Sequence, residues 1–319
     1  MSQVVIISSK EDAHVPFVAR HLNDSPIIID SQAVIDGCGL TYAFSRGVLH
    51  VVYAGKDITD TRGIWLRRPM HAESWDLPVA DHYKKYARSA LMETLNSLFV
   101  AFPDATWISD HYAILRAENK PLQQNTASRL GFYIPETIYT SDPLEARHFM
   151  KKHKNTVVKS LAAYHPKGQD GRRLAFFTRN ITNDKAMDLE GLRVAPGVFQ
   201  EAIEVGYEVR VTVVKNRVFA ARIHLSGQPH ENIRDWRLGH FEGDIAFEPY
   251  ELDVLTKQRC IDLVARMRLN YGAIDLIYDT KGTVWFLEIN PNGQWAFIEK
   301  ATGQSIGASI AACLENRDR

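Results

Sequence analysis

Short β-branched runs alternate with segments of helical period along the first third of the chain. Val4-Val5-Ile6-Ile7 and Ile27-Ile28-Ile29 read as buried strands, the second ending at Asp30, with a helix over Pro16 to Leu22 between them. Strand, helix, strand implies parallel pairing in an α/β unit. Tyr42 to Phe44 and Val48 to Tyr53 predict a hairpin or an edge pair, and Gly63 to Arg68 a strand stopped by Pro69. His82 to Phe99 has the apolar spacing of a long amphipathic helix, and Pro103 breaks the chain after it.

The texture then changes. A helix over Arg116 to Leu130 is capped by Gly131, and Ser141-Asp142-Pro143 opens another over Leu144 to Lys152. Thr156 to Lys159 is a strand, 165–173 a polar loop, Leu174 to Thr178 the returning strand and Thr182 to Leu189 a short helix. Strands follow at Phe199 to Ile203, Glu208 to Val214 and Val218 to Leu225, then an irregular polar loop over 228–244. A helix over Leu255 to Leu269 precedes a hairpin of Gly272 to Tyr278 and Thr283 to Asn290, turning at Lys281-Gly282, and Ile306 to Leu314 is a last helix.

Composition narrows the function classes. With 319 residues, 45% hydrophobic and 24% charged, the chain can bury a core of about two domains, which excludes a disordered or fibrous protein. Lys plus Arg and Asp plus Glu balance at 38 each, so neither nucleic acid nor an anionic membrane is expected as a partner. No apolar run approaches the roughly 20 residues of a spanning helix, and no signal peptide is expected. Cys38, Cys260 and Cys313 are scattered, which fits a reducing cytoplasm. The histidines lack zinc-ligand spacing, and no GxSxG occurs.

The chemistry concentrates near the C-terminal hairpin. In a strand, side chains alternate faces, so Glu288 and Asn290 share one face with Phe286, while Trp285, Leu287 and Ile289 take the other. Asp275 on the partner strand can add a third oxygen to the face of Glu288. Three hard oxygen donors with open positions describe a Mg²⁺ site rather than a zinc site. The plain alternative is an ordinary polar sheet face. Lys159 ends a buried strand and Lys120 opens a helix; each is placed to meet phosphate, or is simply a solvated cation.

The order Lys120, Lys159, Gln200-Glu201-Ala202-Ile203, Glu208, Arg210, Asp275, Glu288, Asn290 resembles the ATP-grasp carboxylate ligases. Five strings resemble one branch, the microviridin-type (graspetide) peptide maturases. They are Trp65-Leu66-Arg67-Arg68-Pro69, Leu130-Gly131-Phe132-Tyr133-Ile134-Pro135, Asp235-Trp236-Arg237, Asn270-Tyr271-Gly272-Ala273-Ile274-Asp275 and Leu287-Glu288-Ile289-Asn290-Pro291. The resemblance implies an α/β (α+β lobes) ATP-grasp fold in three parts: an N-terminal α/β domain (1–105), a central lobe (106–198) and a C-terminal lobe (199–319).

It also implies roles. Lys120 and Lys159 would meet the α- and β-phosphates of ATP. Glu201 would accept from the adenine amino group, the Ile203 backbone would supply hinge hydrogen bonds, and Glu208 would bind the ribose. Arg210 would steady the γ-phosphate or an acyl-phosphate. Asp275, Glu288 and Asn290 would hold Mg²⁺, and Arg237 would orient the substrate carboxylate unless it pairs with Asp235. Arg67 or Arg68 could bind such a carboxylate or could serve the lobe interface. The sequence departs from many superfamily members at 160–171, where the loop expected over the triphosphate has only Gly168 and Gly171.

By the same resemblance, the reaction is ATP-dependent macrocyclisation of a ribosomal precursor peptide. Asp or Glu side chains would be activated as acyl-phosphates and captured by Thr or Ser hydroxyls or a Lys amine. The leader segment would bind a central-lobe helix over Thr182 to Glu190, where Asp184 and Asp188 share a face at i and i+4, or where they merely make a solvated acidic face. Related maturases imply a homodimer. Two alternatives stand beside this: an ATP-grasp ligase adding a free amino acid to a protein or peptide, and a nucleotide-binding regulator, against which the intact Asp275, Glu288, Asn290 trio argues.

Overall fold

The computed structural model describes residues 3–68, 75–161, 179–182, 188–225 and 245–317. The N-terminal sheet is formed by β1 (Val4–Ser8), β2 (Ile27–Ile29), β6 (Gly63–Arg68) and β7 (Thr106–Ile108) in the order β2-β1-β6-β7, all parallel. The parallel unit expected from the β-branched runs is therefore present. Helix α1 (Val15–Ala19) joins β1 to β2. Asp30 is the N-cap of α2 (Ser31–Ile35), its side chain accepting from the Gln32 N–H. A small sheet of β3 (Leu40–Ser45), β4 (Val48–Tyr53) and β5 (Lys56–Asp57) contains the expected hairpin. Its two-residue turn, Arg46-Gly47, has both φ values positive. The predicted 82–99 helix is two: α3 (Asp81–Asn96) and α4 (Leu98–Ala101).

The predicted 116–130 helix is also two. Helix α5 (His111–Ala117) stops, and α6 (Lys120–Arg129) restarts after Asn119, whose backbone is extended and whose side chain caps the Leu122 N–H at 2.9 Å. Pro121 explains the break, because its ring would clash with the carbonyl of Ala117 in a continuous helix and it lacks an N–H that only a first turn can spare.

The middle sheet has β8 (Thr137–Thr140), β9 (Asn155–Ser160), β10 (Arg179–Thr182) and β11 (Gly197–Glu201) in the order β10-β9-β11-β8, antiparallel. Helix α7 (Pro143–Lys152) covers one face, packing Ala146, Phe149 and Met150 on Phe199. Thr182 belongs to β10, which corrects the helix predicted from it. The strand predicted at 174–178 and most of the 182–189 segment lie outside the described residues. Leu189 precedes a short 3₁₀ turn, Glu190–Arg193.

The third sheet is the largest: β12 (Val205–Val214), β13 (Arg217–Leu225), β14 (Ile245–Tyr250), β15 (Tyr271–Asp279) and β16 (Val284–Asn290), ordered β14-β13-β12-β15-β16 and antiparallel. Helix α8 (Val254–Arg266) covers one face, burying Cys260, Leu263 and Val264 against Val209, Val211, Ile274 and Leu276. Two last helices, α9 (Ala296–Thr302) and α10 (Ile306–Leu314), lie toward the other face. Ile306, Ile310 and Leu314 of α10 share a core with Val4, Ile6 and Trp65 of the first sheet and with Val214, Tyr271 and Ala273 of the third. The contact is close: a Cβ on Gly63 would lie 2.2 Å from the Leu314 carbonyl oxygen.

Candidate active site

One row of residues crosses the third sheet. Arg210 on β12 pairs in register with Asp275 on β15, and Asp275 with Glu288 on β16. Cross-strand partners share a face with Cβ atoms about 5 Å apart. Arg210, buried to 5% exposure, donates from Nη1 to both Asp275 oxygens at 2.7 and 2.8 Å. Lys120, first residue of α6, donates to Glu288 Oε2 at 2.8 Å. Asn290 lies one pleat further along, opposite Ala273, and its Oδ1 accepts from the Asn292 N–H at 3.0 Å. Four of the expected residues are thus joined by ion pairs, and the fifth is their neighbour.

The face assignment needs one correction. Phe286 is fully buried in the α8-side core together with Ile289, so it cannot share a face with Glu288 and Asn290. The register explains why. Asp275 pairs with Glu288 but Leu276 with Phe286, which leaves Leu287 unmatched in a bulge. The extra residue reverses the alternation and turns Glu288 and Asn290 away from the core.

Helix α6 fixes this edge strand. Gln123, one turn beyond Lys120, accepts from the Ile289 N–H at 3.2 Å and donates to the Ile289 carbonyl at 2.8 Å. Lys120 and Gln123, spaced i and i+3, therefore hold two consecutive residues of β16.

The middle sheet contributes the facing wall. Thr137, Tyr139, Lys159 and Gln200 lie on the face away from α7, as their register around Val198 and Val157 requires. Lys159 Nζ donates to Gln200 Oε1 at 2.8 Å, and Gln200, 2% exposed, donates to Thr137 Oγ1 at 2.9 Å. Burial, and then the nearby charge of Glu288, push the Tyr139 phenol up to about 12. Glu201 sits at the junction: its N–H donates to the Glu136 carbonyl at 2.8 Å, and its Oε2 accepts from the Glu136 N–H at 3.3 Å. Ile203 is buried in the short connection to β12, and half-buried Glu208 lies two residues before Arg210 on the same strand face. Asp188 is exposed, lies outside any helix just before the 3₁₀ turn, and accepts from the Glu190 N–H at 2.9 Å. Asp184 and Arg237 lie outside the described residues.

Lys120, Arg210, Asp275 and Glu288, with Asn290 beside them, thus form one cluster on α6 and the third sheet, while Lys159 and Glu201 lie on the middle sheet and Ile203 and Glu208 lead from it into and along β12. A RimK-like ATP-grasp domain model matches residues 117–314, which is 198 of the 319 residues. The chain belongs to the RimK-like ATP-grasp family. It is an ATP-dependent ligase, and the two facing sheets are the lobes of its ATP-grasp fold. The whole chain is similar to a RiPP-associated ATP-grasp ligase from Chryseobacterium gregarium, solved with ADP and a leader and core peptide. Identity is 26% and TM-score 0.88, covering 100% of this chain and 98% of that one. Macrocyclase MdnC from Microcystis aeruginosa MRC, bound to precursor peptide MdnA, has the same fold at 23% identity and TM-score 0.84, over 99% and 100% of the two chains. ATP-grasp ligase PsnB, complexed with a minimal precursor, Mg and ADP, follows at 20% and 0.78, over 99% and 97%. A comparison with curated proteins finds no significant match. Among the described residues no helix is long and apolar enough to cross a membrane.

In this ATP-grasp ligase the donor set suits a magnesium–nucleotide. Among the described residues no three His, Cys, Asp or Glu side chains are grouped to hold a metal; Asp275 and Glu288 would need the Asn290 amide to make a set of three oxygen donors. Two carboxylates and an amide leave coordination positions for phosphate oxygens and water. Arg210 and Lys120 sit on Asp275 and Glu288, so the cluster pairs two cations with two carboxylates. Sequence reasoning missed Gln123, Thr137 and Tyr139, and left Gln200 in its string without a role. Alternation from Lys159 could have flagged Gln200 only with the register known. Arg67, offered for a substrate carboxylate or an interface, takes the second role. It is 2% exposed and is engaged by Asp12 and the Asn292 carbonyl.

Proposed function

We propose that this ligase is a peptide macrocyclase that cross-links side chains within a ribosomal precursor peptide. The observation that carries the reading is the end-to-end likeness, at 26% identity, to a ligase that holds ADP with a leader and a core peptide. Lys120 and Lys159 bind the α- and β-phosphates, Glu201 and the Ile203 backbone bind adenine, and Glu208 binds the ribose. Arg210 stays beside the γ-phosphate, and Arg237 orients the substrate carboxylate. Asp275, Glu288 and Asn290 hold Mg²⁺, which when bound neutralises charge on the phosphates. The three lobes meet at residues 105 and 198, and the enzyme works as a cytoplasmic homodimer.

A carboxylate is a poor electrophile. Attack of an Asp or Glu oxygen on the γ-phosphorus forms a P–O bond, breaks the β–γ bridge and releases ADP. A hydroxyl or amine of the same peptide then attacks the acyl carbon, loses its proton and expels phosphate, leaving an ester or amide ring. Lys159 and Arg210 stabilise negative charge spreading over the transferring group, a task of positioning and electrostatics. The leader docks on the segment around Asp184 and Asp188; changing both to Ala weakens leader binding in a titration and spares ATP affinity.

The test is incubation with ATP, Mg²⁺ and the peptide encoded beside this gene. Each cross-link removes one water, about 18 Da. Glu288→Gln abolishes product while nucleotide still binds. ATP turnover driven by a free amino acid and indifferent to the peptide would reject this reading in favour of an amino-acid ligase.

A further inference from the structure

The turn that follows the metal trio is held by buried side chains from four places in the fold. The Asn292 carbonyl accepts from Arg67 Nη1 at the end of β6. The Gly293 carbonyl accepts from the Tyr271 hydroxyl of β15 at 2.7 Å. The Gln294 carbonyl accepts from Arg210 Nη2 at 3.5 Å. The Trp295 N–H donates to His14 Nε2, between β1 and α1, at 3.1 Å. Four successive residues thus each give one backbone group to a different element. Two of the four tethers come from the N-terminal domain, more than 200 residues away in sequence.

Those two tethers belong to one buried group. Asp12 Oδ1 lies 2.8 Å from His14 Nδ1, and Asp12 Oδ2 lies 3.4 Å from Arg67 Nε. Because His14 Nε2 accepts from Trp295, its ring proton is on Nδ1, directed at Asp12. Arg67 Nη2 lies 3.3 Å from the same imidazole. Burying an arginine and an aspartate is expensive unless their geometry is tight. Here the arginine is spent on a carbonyl two residues past Asn290.

We infer that Asp12, His14 and Arg67 are positioning residues that aim Asn290 at the metal; the inference rests on the Mg²⁺ reading of Asp275, Glu288 and Asn290. The linkage is short. Arg67 holds the Asn292 carbonyl on one side of its Cα, the Asn292 N–H on the other side holds Asn290 Oδ1, and the amide oxygen keeps a second lone pair for a cation. The Gly293 N–H also returns to the Asn290 carbonyl at 3.3 Å, so the turn and the ligand move together. The N-terminal domain therefore sets one arm of a metal site built on another sheet.

The experiment measures Mn²⁺ binding to the ADP complex by electron paramagnetic resonance and metal-free ADP affinity by calorimetry. It uses wild type, His14→Leu, His14→Gln, Arg67→Lys and Glu288→Gln, all checked by thermal melting. His14→Leu is expected to weaken Mn²⁺ binding fivefold or more and to leave metal-free ADP affinity within twofold. His14→Gln, which keeps an acceptor for the Trp295 N–H, restores most of it. Arg67→Lys, which cannot reach Asp12 and Asn292 together, weakens it like His14→Leu and decides the matter if that variant does not fold. Unchanged Mn²⁺ affinity in folded His14→Leu or Arg67→Lys overturns the inference, as does an equal loss of ADP affinity. If Glu288→Gln also leaves Mn²⁺ affinity unchanged, the metal site itself was misassigned.

Discussion

Gly293 is the tightest point of the site, and replacing it with alanine should damage both stability and turnover. A Cβ there would lie 2.5 Å from Ala273 Cβ and 2.7 Å from Arg210 Nη2. Ala273 is fully buried in the middle of β15 and cannot retreat. The strain must therefore move the turn or swing the Arg210 guanidinium off Asp275. Overpacking of this kind costs about 1–3 kcal/mol, roughly 2 to 10 °C in melting temperature for a protein of this size. Losing a charge-assisted contact of Arg210 adds about 1.5–3 kcal/mol to the barrier, or roughly 10- to 150-fold in peptide-dependent ADP release. Gly282→Ala is the control. It stands in open space with φ +85°, so it lowers melting through backbone strain and leaves turnover alone. Gly293→Ala with wild-type melting and wild-type turnover would refute the steric argument. A loss of turnover equal in both variants would show that global destabilisation, not Arg210, is responsible.

Gln200→Leu removes the acceptor that steadies Lys159; steady-state kinetics should show KM for ATP rising about 5- to 30-fold, from about 1–2 kcal/mol, with a smaller change in kcat. Asp12 provides a pH test. Burial alone would raise its carboxyl, but the His14 hydrogen bond and the Arg67 charge outweigh that and hold it at about 2. A folded-state value below the unfolded 3.8 means stabilisation that is complete above about pH 4 and lost as pH falls through about 2, in all about 2 kcal/mol. Urea unfolding should therefore show Asp12→Asn less stable than wild type at pH 7, with the gap narrowing toward pH 2; a gap independent of pH would show that the Asp12 charge is not what matters.

Local signals carried well into three dimensions where the physics is local. The β-branched runs at Val4 and Ile27, the Asp142 cap, the Gly131 terminus and the Lys281-Gly282 turn all formed as the chain pattern requires. Arg210, Asp275, Glu288, Asn290 and Lys120 come together because four ride on neighbouring strands and the fifth on a helix start of those kinds. What escaped depends on distant partners. Period-2 alternation could not foresee the bulge at Leu287, since a bulge is a property of the pair β15 and β16 rather than of either strand. Gln123 and Tyr139 gain meaning only from β16 lying beside α6 and β8 facing it. Pro121 was visible, yet the apolar spacing on both sides of it outweighed it in a single-helix reading of 116–130. Helix α9 and strand β14 went unread, their apolar positions being too few to show a period.

The packing of α10 has a consequence for how the molecule is made. One face of the first sheet, with Val4, Ile6 and Trp65, is closed by side chains of residues 306–314. Synthesis at about 5–20 residues per second puts roughly 10 to 50 s between Arg68 and Leu314. Over that interval the nascent N-terminal sheet keeps an apolar face open while the rest of the chain is still on the ribosome. The helix α10 is the piece that closes it, and only a glycine at 63 lets the Leu314 backbone come this close. Folding of the N-terminal sheet thus waits for α10, more than 200 residues later, and chaperone capture in that window would favour correct assembly.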